Sequence, residues 1–272
     1  EYASRDSLDK FYASEESRES LSSEIQLRIM FHIIRAIHFL HTEKSDTEIS
    51  DNFILFHCDI KSANICLRRD YTAKLIDCGL AKFVPVDDSI AILFSVQNTT
   101  LGGVFGTPGY ICPWYSHGRK TFEASCDVYS FGIVMIELVT GCLQNDRTKL
   151  GDFSERYFPN DFDGTPAKAL ELAFPKLVKD VDPFAEEWED GILASVCKLA
   201  IRCIQLNRSK RPTTNELVEK LLQLVRPTDH NGGCESPQMI NRSKRPKINH
   251  NGGSESSQMR IAFDNHNLND RT

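Results

Sequence analysis

The chain has 272 residues, of which 40% are hydrophobic and 26% are charged, and its formal net charge is -6. This composition is typical of a globular protein and gives no reason to expect nucleic acid as a partner. No apolar run approaches the roughly 18 residues that a membrane-spanning helix needs. The nine cysteines form no Cys-x-x-Cys pair, which favours reduced thiols over a disulfide framework.

The first part of the chain has a helical pattern. Ser7 is expected to be the N-cap of a short helix. Ser23 and Gln26 then have the spacing of a capping box, which predicts the start of a longer helix. Its apolar stripe consists of Ile25, Ile29, Ile33, Ile37 and Leu40. We expect this helix to end near His41-Thr42 and the apolar segment Phe53-Ile54-Leu55 to form a strand.

Residues 56–67 carry the side chains of a phosphate and magnesium site. Asp59, Lys61 and Asn64 lie within six positions, and Asp77 follows a short apolar run after them. Phosphoryl transfer needs oxygen ligands for a metal, a cation near the phosphoryl group and a carboxylate that orients the attacking hydroxyl. Polar residues in a loop are often plain turn formers. Here the loop lies between a long helix and two strand-like runs, 65–67 and 71–76, which favours a functional role.

The following region contains a long aperiodic segment and then several helices. Residues 80–105 have no clear period, and they carry the hydroxyl residues Ser89, Ser95, Thr99 and Thr100. Apolar stripes predict helices over 125–139 and 192–204, and a short helix is expected around 166–173. Thr213 and Glu216 form a capping box that predicts the start of the last helix.

The composition changes beyond Pro227, where Asn, Gly, Ser and His dominate. The sequence Asn-Arg-Ser-Lys-Arg-Pro at 207–212 returns at 241–246, and His-Asn-Gly-Gly at 230–233 returns at 250–253. The basic cluster within 242–247 could be a nuclear-import signal, but a local duplication explains it more simply. Because this segment has little apolar surface to bury, we expect a low-complexity, disordered tail at 227–272 after a folded region at 1–226.

Several motifs together resemble those of the protein kinases. His57-Cys58-Asp59-Ile60-Lys61-Ser62-Ala63-Asn64 resembles the catalytic loop, and Asp77-Cys78-Gly79 resembles the metal-binding loop. Later motifs follow in the order that the family has: Gly106-Thr107-Pro108-Gly109-Tyr110, Asp127-Val128-Tyr129-Ser130-Phe131-Gly132 and Lys210-Arg211-Pro212-Thr213. Lys61 and the segment around Thr107 look like the serine/threonine type. The most similar group is that of the interleukin receptor-associated and plant receptor-like kinases.

This resemblance implies a fold and an activity. The fold would be the larger kinase lobe, mainly α with a few short strands, and the chain would begin at the hinge, so that the smaller N-terminal lobe is missing. The activity would be transfer of the ATP γ-phosphoryl group to protein serine or threonine in signal transduction. Because the smaller lobe provides half of the nucleotide cleft, we expect this chain alone to bind ATP weakly and to be inactive.

The resemblance also implies a role for each site residue. Asp59 would be the catalytic base, Lys61 would neutralise charge on the phosphoryl group, and Thr107 would brace both while seating the substrate. Asn64 and Asp77 would hold Mg²⁺, and Lys61, Asn64, Asp77 and Cys66 would contact ATP, with Cys66 at the floor of the adenine pocket. Residues 80–105 would be the activation segment. Asp127 would hold the backbone of the catalytic loop, although an acid near a helix start also has a simpler explanation.

Four residues depart from the family pattern. Cys58 stands where many kinases have an arginine that binds a phosphorylated activation loop, and Cys78 replaces a phenylalanine. Cys66 replaces an aliphatic residue. Trp114 stands where the family has a glutamate that pairs with an arginine matching Arg211, so Arg211 needs another partner or solvent. Cys58, Cys66 and Cys78 could also form a metal site, but their spacings fit no familiar ligand pattern.

Two functional hypotheses therefore stand at the level of sequence. The first is a serine/threonine kinase domain with ATP and Mg²⁺ as cofactors, a protein as substrate and an upstream receptor or adaptor as a partner. The second is a non-catalytic pseudokinase that acts as a scaffold, which the four departures favour. In either case we expect a cytoplasmic location, which includes the cytoplasmic part of a longer membrane receptor.

Overall fold

The computed structural model describes residues 6–42, 53–85, 105–116, 122–144, 146, 150–157, 165–182 and 188–225. The helices in these ranges are α1 (Leu8–Ala13), α2 (Glu15–Glu19), α3 (Ser23–Thr42), α4 (Pro113–Ser116), α5 (Ala124–Thr140), α6 (Phe153–Tyr157), α7 (Pro166–Lys179), α8 (Asp190–Cys203) and α9 (Thr214–Val225). The strands are β1 (Phe53–Phe56), β2 (Ile65–Leu67), β3 (Ala73–Leu75) and β4 (Lys82–Pro85). The predicted class, mainly α with a few short strands, is confirmed.

Helix α5 lies at the centre of the hydrophobic core. Every residue from Cys126 to Thr140 is buried, because the helix is apolar on nearly all sides. It packs closely against α8 at Gly132, where an added Cβ atom would lie 2.5 Å from the Cβ atom of Cys203. The helix ends at Gly141, whose φ of 63° suits the left-handed position that follows a helix.

Helix α3 packs against α9, β1, β3 and α5 through the predicted isoleucine stripe. Ile29, Ile33 and Ile37 are fully buried. The predicted start is wrong by one residue, because Ser22 rather than Ser23 caps the helix by accepting a hydrogen bond from the Ile25 N–H at 3.4 Å. The side chain of Gln26 donates instead to the carbonyl of Leu21.

The strands form two separate antiparallel pairs. β1 pairs with β4, with Phe56 opposite Lys82, and β2 pairs with β3, with Ile65 opposite Leu75. β4 lies in the segment that was expected to be aperiodic, and β3 is shorter than the predicted run at 71–76. Residues 57–64 run from β1 to β2 and residues 76–81 run from β3 to β4, so the two strand pairings set where the predicted catalytic and metal-binding loops lie.

The starts of three further helices can be compared with the predicted caps. Ser7 precedes α1 as predicted, but its hydroxyl donates to Asp9 and does not cap the helix. Helix α7 is longer than predicted, and Thr165 caps it by accepting from the Lys168 N–H. Half of the predicted capping box of α9 is present: Thr213 Oγ1 accepts from the Glu216 N–H at 3.2 Å, whereas the Glu216 carboxylate accepts from Arg202 and not from the N–H of Thr213.

No helix among the described residues is long and apolar enough to cross a membrane. The eight cysteines within the described ranges are free thiols. The predicted hydroxyl residues of the activation segment (Ser89, Ser95, Thr99 and Thr100) and the tail at 227–272 lie outside the described residues.

Candidate active site

The loop from His57 to Asn64 connects β1 to β2 and has a strained backbone at its start. Cys58 has a φ of 66°, which is uncommon for a residue other than glycine. Asp127, at the start of α5, compensates for this strain: its Oδ2 accepts from the His57 N–H at 2.9 Å and its Oδ1 accepts from the Cys58 N–H at 3.0 Å. The Asp127 side chain is fully buried and also contacts His41 Nε2 at 2.9 Å. Asp127 therefore holds the backbone of this loop through two hydrogen bonds, as the resemblance implied.

His57 connects the loop to the segment that carries Asp77. Its Nε2 is 3.0 Å from the carbonyl oxygen of Ile76, and its Nδ1 accepts from the Asp59 N–H at 3.3 Å. These two contacts together assign the N–H to Nε2, because an acceptor nitrogen cannot carry the proton. The imidazole therefore fixes the distance between the backbones of residues 59 and 76.

Asp59, Lys61 and Thr107 form a closed hydrogen-bonded triangle. Lys61 Nζ donates to Asp59 Oδ2 at 2.7 Å and to Thr107 Oγ1 at 2.7 Å. Thr107 Oγ1 donates to Asp59 Oδ1 at 2.7 Å. Thr107 is brought to the loop by the turn at 106–110, in which its carbonyl accepts from the N–H groups of Tyr110 and Ile111.

The triangle sets the charge state of Asp59. Burial alone would raise the pKa of its carboxyl, but the hydrogen bonds from Lys61 and Thr107 outweigh burial, and the pKa lies below its usual value. Asp59 is therefore an anion at neutral pH. A carboxylate with a lowered pKa is a weak base, so its strongest contribution is to orient a hydroxyl donor.

Asn64 and Asp77 supply the oxygen atoms expected of a metal site. The Asn64 amide nitrogen donates to the Asp59 carbonyl at 2.8 Å and to Asp59 Oδ2 at 3.0 Å, which leaves the amide oxygen as an available ligand. Asp77 is exposed, and one of its carboxylate oxygens accepts from the Gly79 N–H at 3.1 Å. The Ile76 N–H donates to the Asn64 carbonyl at 2.9 Å, so the backbones on either side of the site are joined.

This donor set fits Mg²⁺ better than a metal held entirely by protein. Among the described residues, no three His, Cys, Asp or Glu side chains gather into a metal-binding cluster. Magnesium is usually bound by one or two carboxylates, with water and substrate phosphates as further ligands. Asn64 and Asp77 match that pattern. The alternative of a site formed by Cys58, Cys66 and Cys78 gains no support from the geometry.

The cysteines that depart from the family pattern occupy different environments. Cys58 is buried, and its thiol lies 3.6 Å from the carbonyl of Phe56. Cys66 is partly buried on β2, where its backbone bridges to Ser7, and burial raises the pKa of its thiol. Cys78 is exposed at the first position of a short 3-10 turn. Of the predicted site residues, the structure joins Asp59, Lys61, Asn64 and Thr107 directly. Asp77 follows Ile76, which is bonded to Asn64 and His57, whereas Cys66 lies beside Ser7 at the start of α1.

Trp114 packs against Arg208. In the family, the residue at this position is a glutamate that pairs with the arginine matching Arg211. The Arg208 guanidinium lies 3.8 Å from the centroid of the Trp114 ring and forms an ion pair with Glu123. This stacking is a favourable cation–π contact. Arg211 instead contacts the sulfur of Cys112 and two main-chain carbonyls.

Sequence reasoning missed Glu137, which links the loop to the turn at 106–110. Its buried carboxylate accepts from Ser62 Oγ, from Tyr110 OH at 2.5 Å and from the Gln144 N–H at 2.8 Å. Burial raises its pKa from the usual 4.5 to about 7, despite those donors. A carboxylate within the apolar run 133–139 was the signal that could have revealed it, because buried acids are rare without partners.

Comparisons with known protein sequences identify a family. The family model for the protein kinase domain matches residues 1–222. LRR receptor-like serine/threonine-protein kinase ER1 of Oryza sativa subsp. japonica is 31% identical over 242 residues, which cover 88% of this chain and 21% of the relative. Wall-associated receptor kinase-like 3 of Arabidopsis thaliana is 32% identical over 223 residues, covering 81% of this chain and 27% of the relative. Cysteine-rich receptor-like protein kinase 27 of Arabidopsis thaliana is 30% identical over 226 residues, covering 81% and 31%.

The chain spans between 16% and 36% of the length of the curated relatives it matches. The family match covers the catalytic loop, the segment around Thr107, the buried helix α5 and the region of Arg211. The resemblance seen in the sequence motifs is confirmed, and so is the kinase-like larger lobe. The chain belongs to the protein kinase family and is similar to plant receptor-like serine/threonine kinases.

Proposed function

We propose that this chain provides the catalytic lobe of a protein serine/threonine kinase that transfers the ATP γ-phosphoryl group to a protein hydroxyl. The observation that carries the proposal is the triangle of Asp59, Lys61 and Thr107, with Asn64 bound to the same carboxylate. These side chains come from two segments 46 residues apart in sequence. A plain polar turn does not require a distant threonine to meet an Asp–Lys pair.

In this proposal Asp59 orients the attacking hydroxyl and accepts its proton. The substrate hydroxyl takes the place of Thr107 as a donor to Asp59 Oδ1, because a serine or threonine hydroxyl has the same donor group. Lys61, already 2.7 Å from both Asp59 and Thr107, then lies beside the reacting oxygen and balances negative charge on the phosphoryl group. Asn64 holds Asp59 in orientation through its amide nitrogen.

Asn64, through its amide oxygen, and Asp77, through its carboxylate, are proposed to hold Mg²⁺. Bound Mg²⁺ would neutralise charge on the ATP phosphates. Cys66 is proposed to lie beneath the adenine ring, where a thiol offers a small apolar surface. As a test of the metal site, Mn²⁺ with ATP should broaden the NMR signal of the Asn64 side-chain amide. Asp77→Asn should abolish that broadening, and equal broadening in both proteins would remove Asp77 from the site.

The acceptor residue can be tested directly. The chain is fused to the smaller lobe of a receptor-like kinase that it matches and is supplied with γ-labelled ATP and a protein acceptor. Phosphoamino acid analysis is expected to find the label on serine and threonine. Label on tyrosine alone would contradict the assignment to the serine/threonine branch.

A scaffold role without catalysis is the second candidate, and exposed Cys78 in place of a packing aromatic residue favours it. The phosphoryl-transfer assay of the fused chain separates the two, because only a kinase labels the acceptor. On this chain alone, titrating magnesium-ATP against thermal stability tests the expected weak binding, and nucleotide well below its Kd should leave the stability almost unchanged. Stabilisation of several kcal/mol at low nucleotide concentration would contradict our expectation that one lobe binds ATP poorly.

The biological setting is proposed from the relatives. Their names describe receptor-like kinases, so we propose that this lobe acts on the cytoplasmic side of a membrane, with a protein substrate and an upstream receptor or adaptor. The division into a folded region at 1–226 and a low-complexity tail at 227–272 also stays a proposal. Limited proteolysis followed by mass spectrometry would test it, with cleavage expected only beyond residue 226 and in exposed loops.

A further inference from the structure

Arg211 is a buried cation that needs a counter-charge. Its side chain lies in the core beside the ring of Tyr129, with 4.9 Å between the guanidinium carbon and the ring centroid. Nε donates to the Gln205 carbonyl at 2.7 Å, and Nη1 donates to the Ser125 carbonyl at 2.8 Å. Carbonyls carry only partial charge, and an uncompensated buried charge is strongly unfavourable. Within the described ranges, no carboxylate lies at ion-pair distance from Arg211.

The remaining partner of Arg211 is the sulfur of Cys112. Nη1 donates to this sulfur at 2.9 Å, and both side chains are buried. Cys126, at the start of α5, is also buried, and as a neighbouring thiol it lowers the pKa of Cys112. A guanidinium N–H directed at a buried sulfur forms an environment that favours a thiolate.

We propose that Cys112 is a thiolate and that it provides the counter-charge that holds Arg211 in the core. Cys112 lies two residues before Trp114, which stands at the position of the missing glutamate. An anion from a neighbouring residue thus replaces the carboxylate in neutralising Arg211. The thiolate has a positioning role and takes part in no bond formation.

The effect of this ion pair reaches the active site through a short path. Cys112 follows the turn at 106–110, in which the Thr107 carbonyl accepts from the Tyr110 and Ile111 N–H groups. Ser130 on α5 donates to the Tyr110 carbonyl at 2.7 Å. The Cys112–Arg211 pair therefore fixes the end of the turn that brings Thr107 to Asp59.

The charge on the thiolate depends on all the ionisable groups around it. The ionisable groups of helix α5 near Cys112 are Cys126, Asp127 and Tyr129. The catalytic loop adds Cys58 and Asp59, which line the same small cavity as Cys112. The carboxylates of Asp59 and Asp127 oppose a second anion, whereas Arg211 in direct contact favours it. The neighbouring Cys126 thiol and Arg211 outweigh burial and lower the pKa of Cys112 to about 5, and the pKa of Cys126 is raised in turn.

The first test uses the ultraviolet absorbance of thiolates in the folded chain. Ordinary thiols, with a pKa of about 8.5, remain almost fully protonated between about pH 4 and pH 7. We expect the wild-type chain to gain the absorbance of one thiolate over this range and Cys112→Ser to gain none. No gain in the folded wild-type chain would overturn the proposal, and this outcome can be read even if the variant fails to fold.

Cys197→Ser is the matched control, because Cys197 is also buried but has apolar surroundings that raise its pKa to about 12. This variant should gain the same absorbance as wild type. Arg211→Gln should lose the gain below pH 7, because the neutral amide no longer stabilises the thiolate. A gain that persists unchanged in folded Cys112→Ser would assign the thiolate to another cysteine and overturn the proposal.

The second test measures positioning without any assay of catalysis, so its outcome is independent of the proposed function. Hydrogen exchange of the Tyr110 and Ile111 amides should be at least several-fold faster in Cys112→Ser than in Cys197→Ser. Equal exchange rates in the two variants would show that the thiolate does not hold the turn that carries Thr107.

Discussion

At the scale of single residues, a few buried carboxylates determine the geometry of the site. Asp127 holds the N–H groups of His57 and Cys58, and the second of these residues has a left-handed backbone. Asp59 then receives three side-chain donors. Each contact satisfies a buried polar group, and together they fix a loop that has little apolar surface of its own to bury.

Replacing Asp127 by asparagine tests its role in holding the loop. The amide has only one acceptor oxygen, so one of the two loop N–H groups loses its partner and the strain at Cys58 is no longer compensated. We expect the free energy of unfolding to fall by about 2–4 kcal/mol. Urea denaturation gives the value. Asp70→Asn, at an exposed turn, is the control and should change it by less than about 0.5 kcal/mol; equal values for the two variants would count against the role of Asp127.

The raised pKa of Glu137 predicts that the stability of the fold depends on pH. Its pKa in the folded chain is raised from 4.5 to about 7, so the folded state binds more protons than the unfolded state between these values. The contribution of Glu137 is therefore greatest below about pH 4.5 and is lost as the pH rises through about 7. The stability of wild type relative to Glu137→Gln should fall over this range by on the order of 3 kcal/mol. A difference independent of pH, measured by denaturation at several pH values, would contradict the raised pKa.

At the scale of elements, the close contact between α5 and α8 leaves no room for a larger side chain at Gly132. Gly132→Ala should destabilise the fold by about 1–3 kcal/mol, because the new methyl group would overlap Cys203 at the end of α8 and Ile204 directly after it. Gly191→Ala on α8 is the matched control, since nothing lies within 4 Å of its added Cβ atom. The melting temperature should fall for Gly132→Ala alone. If the two variants have the same melting temperature, the helices are not packed as closely as described.

The length of an element and the distance in sequence to its partner explain which elements the sequence could predict. The stripe Ile29, Ile33 and Ile37 specifies α3 because a twenty-residue helix repeats its pattern several times. Helices α2, α4 and α6 have five residues or fewer, too few for a period to be visible. β4 was missed because its strand conformation depends on pairing with β1, a contact distant in sequence.

For the site, the local motif predicted Asp59, Lys61 and Asn64, whereas Thr107 could be added only through resemblance to a family. The Glu137 network and the Cys112–Arg211 contact were not predicted, because both join residues far apart in sequence. Cys112 and Arg211 are 99 positions apart. Their contact depends on how α5 brings the two segments together, and no spacing in the sequence specifies that.

At the scale of the whole molecule, the core around α5 supports the loops on which the proposed chemistry depends. Helix α5 anchors the catalytic loop through Asp127, the turn carrying Thr107 through Ser130, and both through Glu137. This arrangement is consistent with a kinase lobe, because phosphoryl transfer is catalysed mainly by positioning the reactants and stabilising the charge on the phosphoryl group.

The most direct test is the rate of phosphoryl transfer by the chain fused to the smaller lobe of a receptor-like kinase, comparing Asp59→Asn with Asp70→Asn. Both variants exchange one carboxylate for an amide, but only Asp59 contacts Lys61 and Thr107. We predict that Asp59→Asn lowers the rate by about 10²–10⁴-fold, the usual contribution of a group that orients the attacking hydroxyl and accepts its proton, while Asp70→Asn retains the wild-type rate. Transfer at the wild-type rate by folded Asp59→Asn would contradict the account.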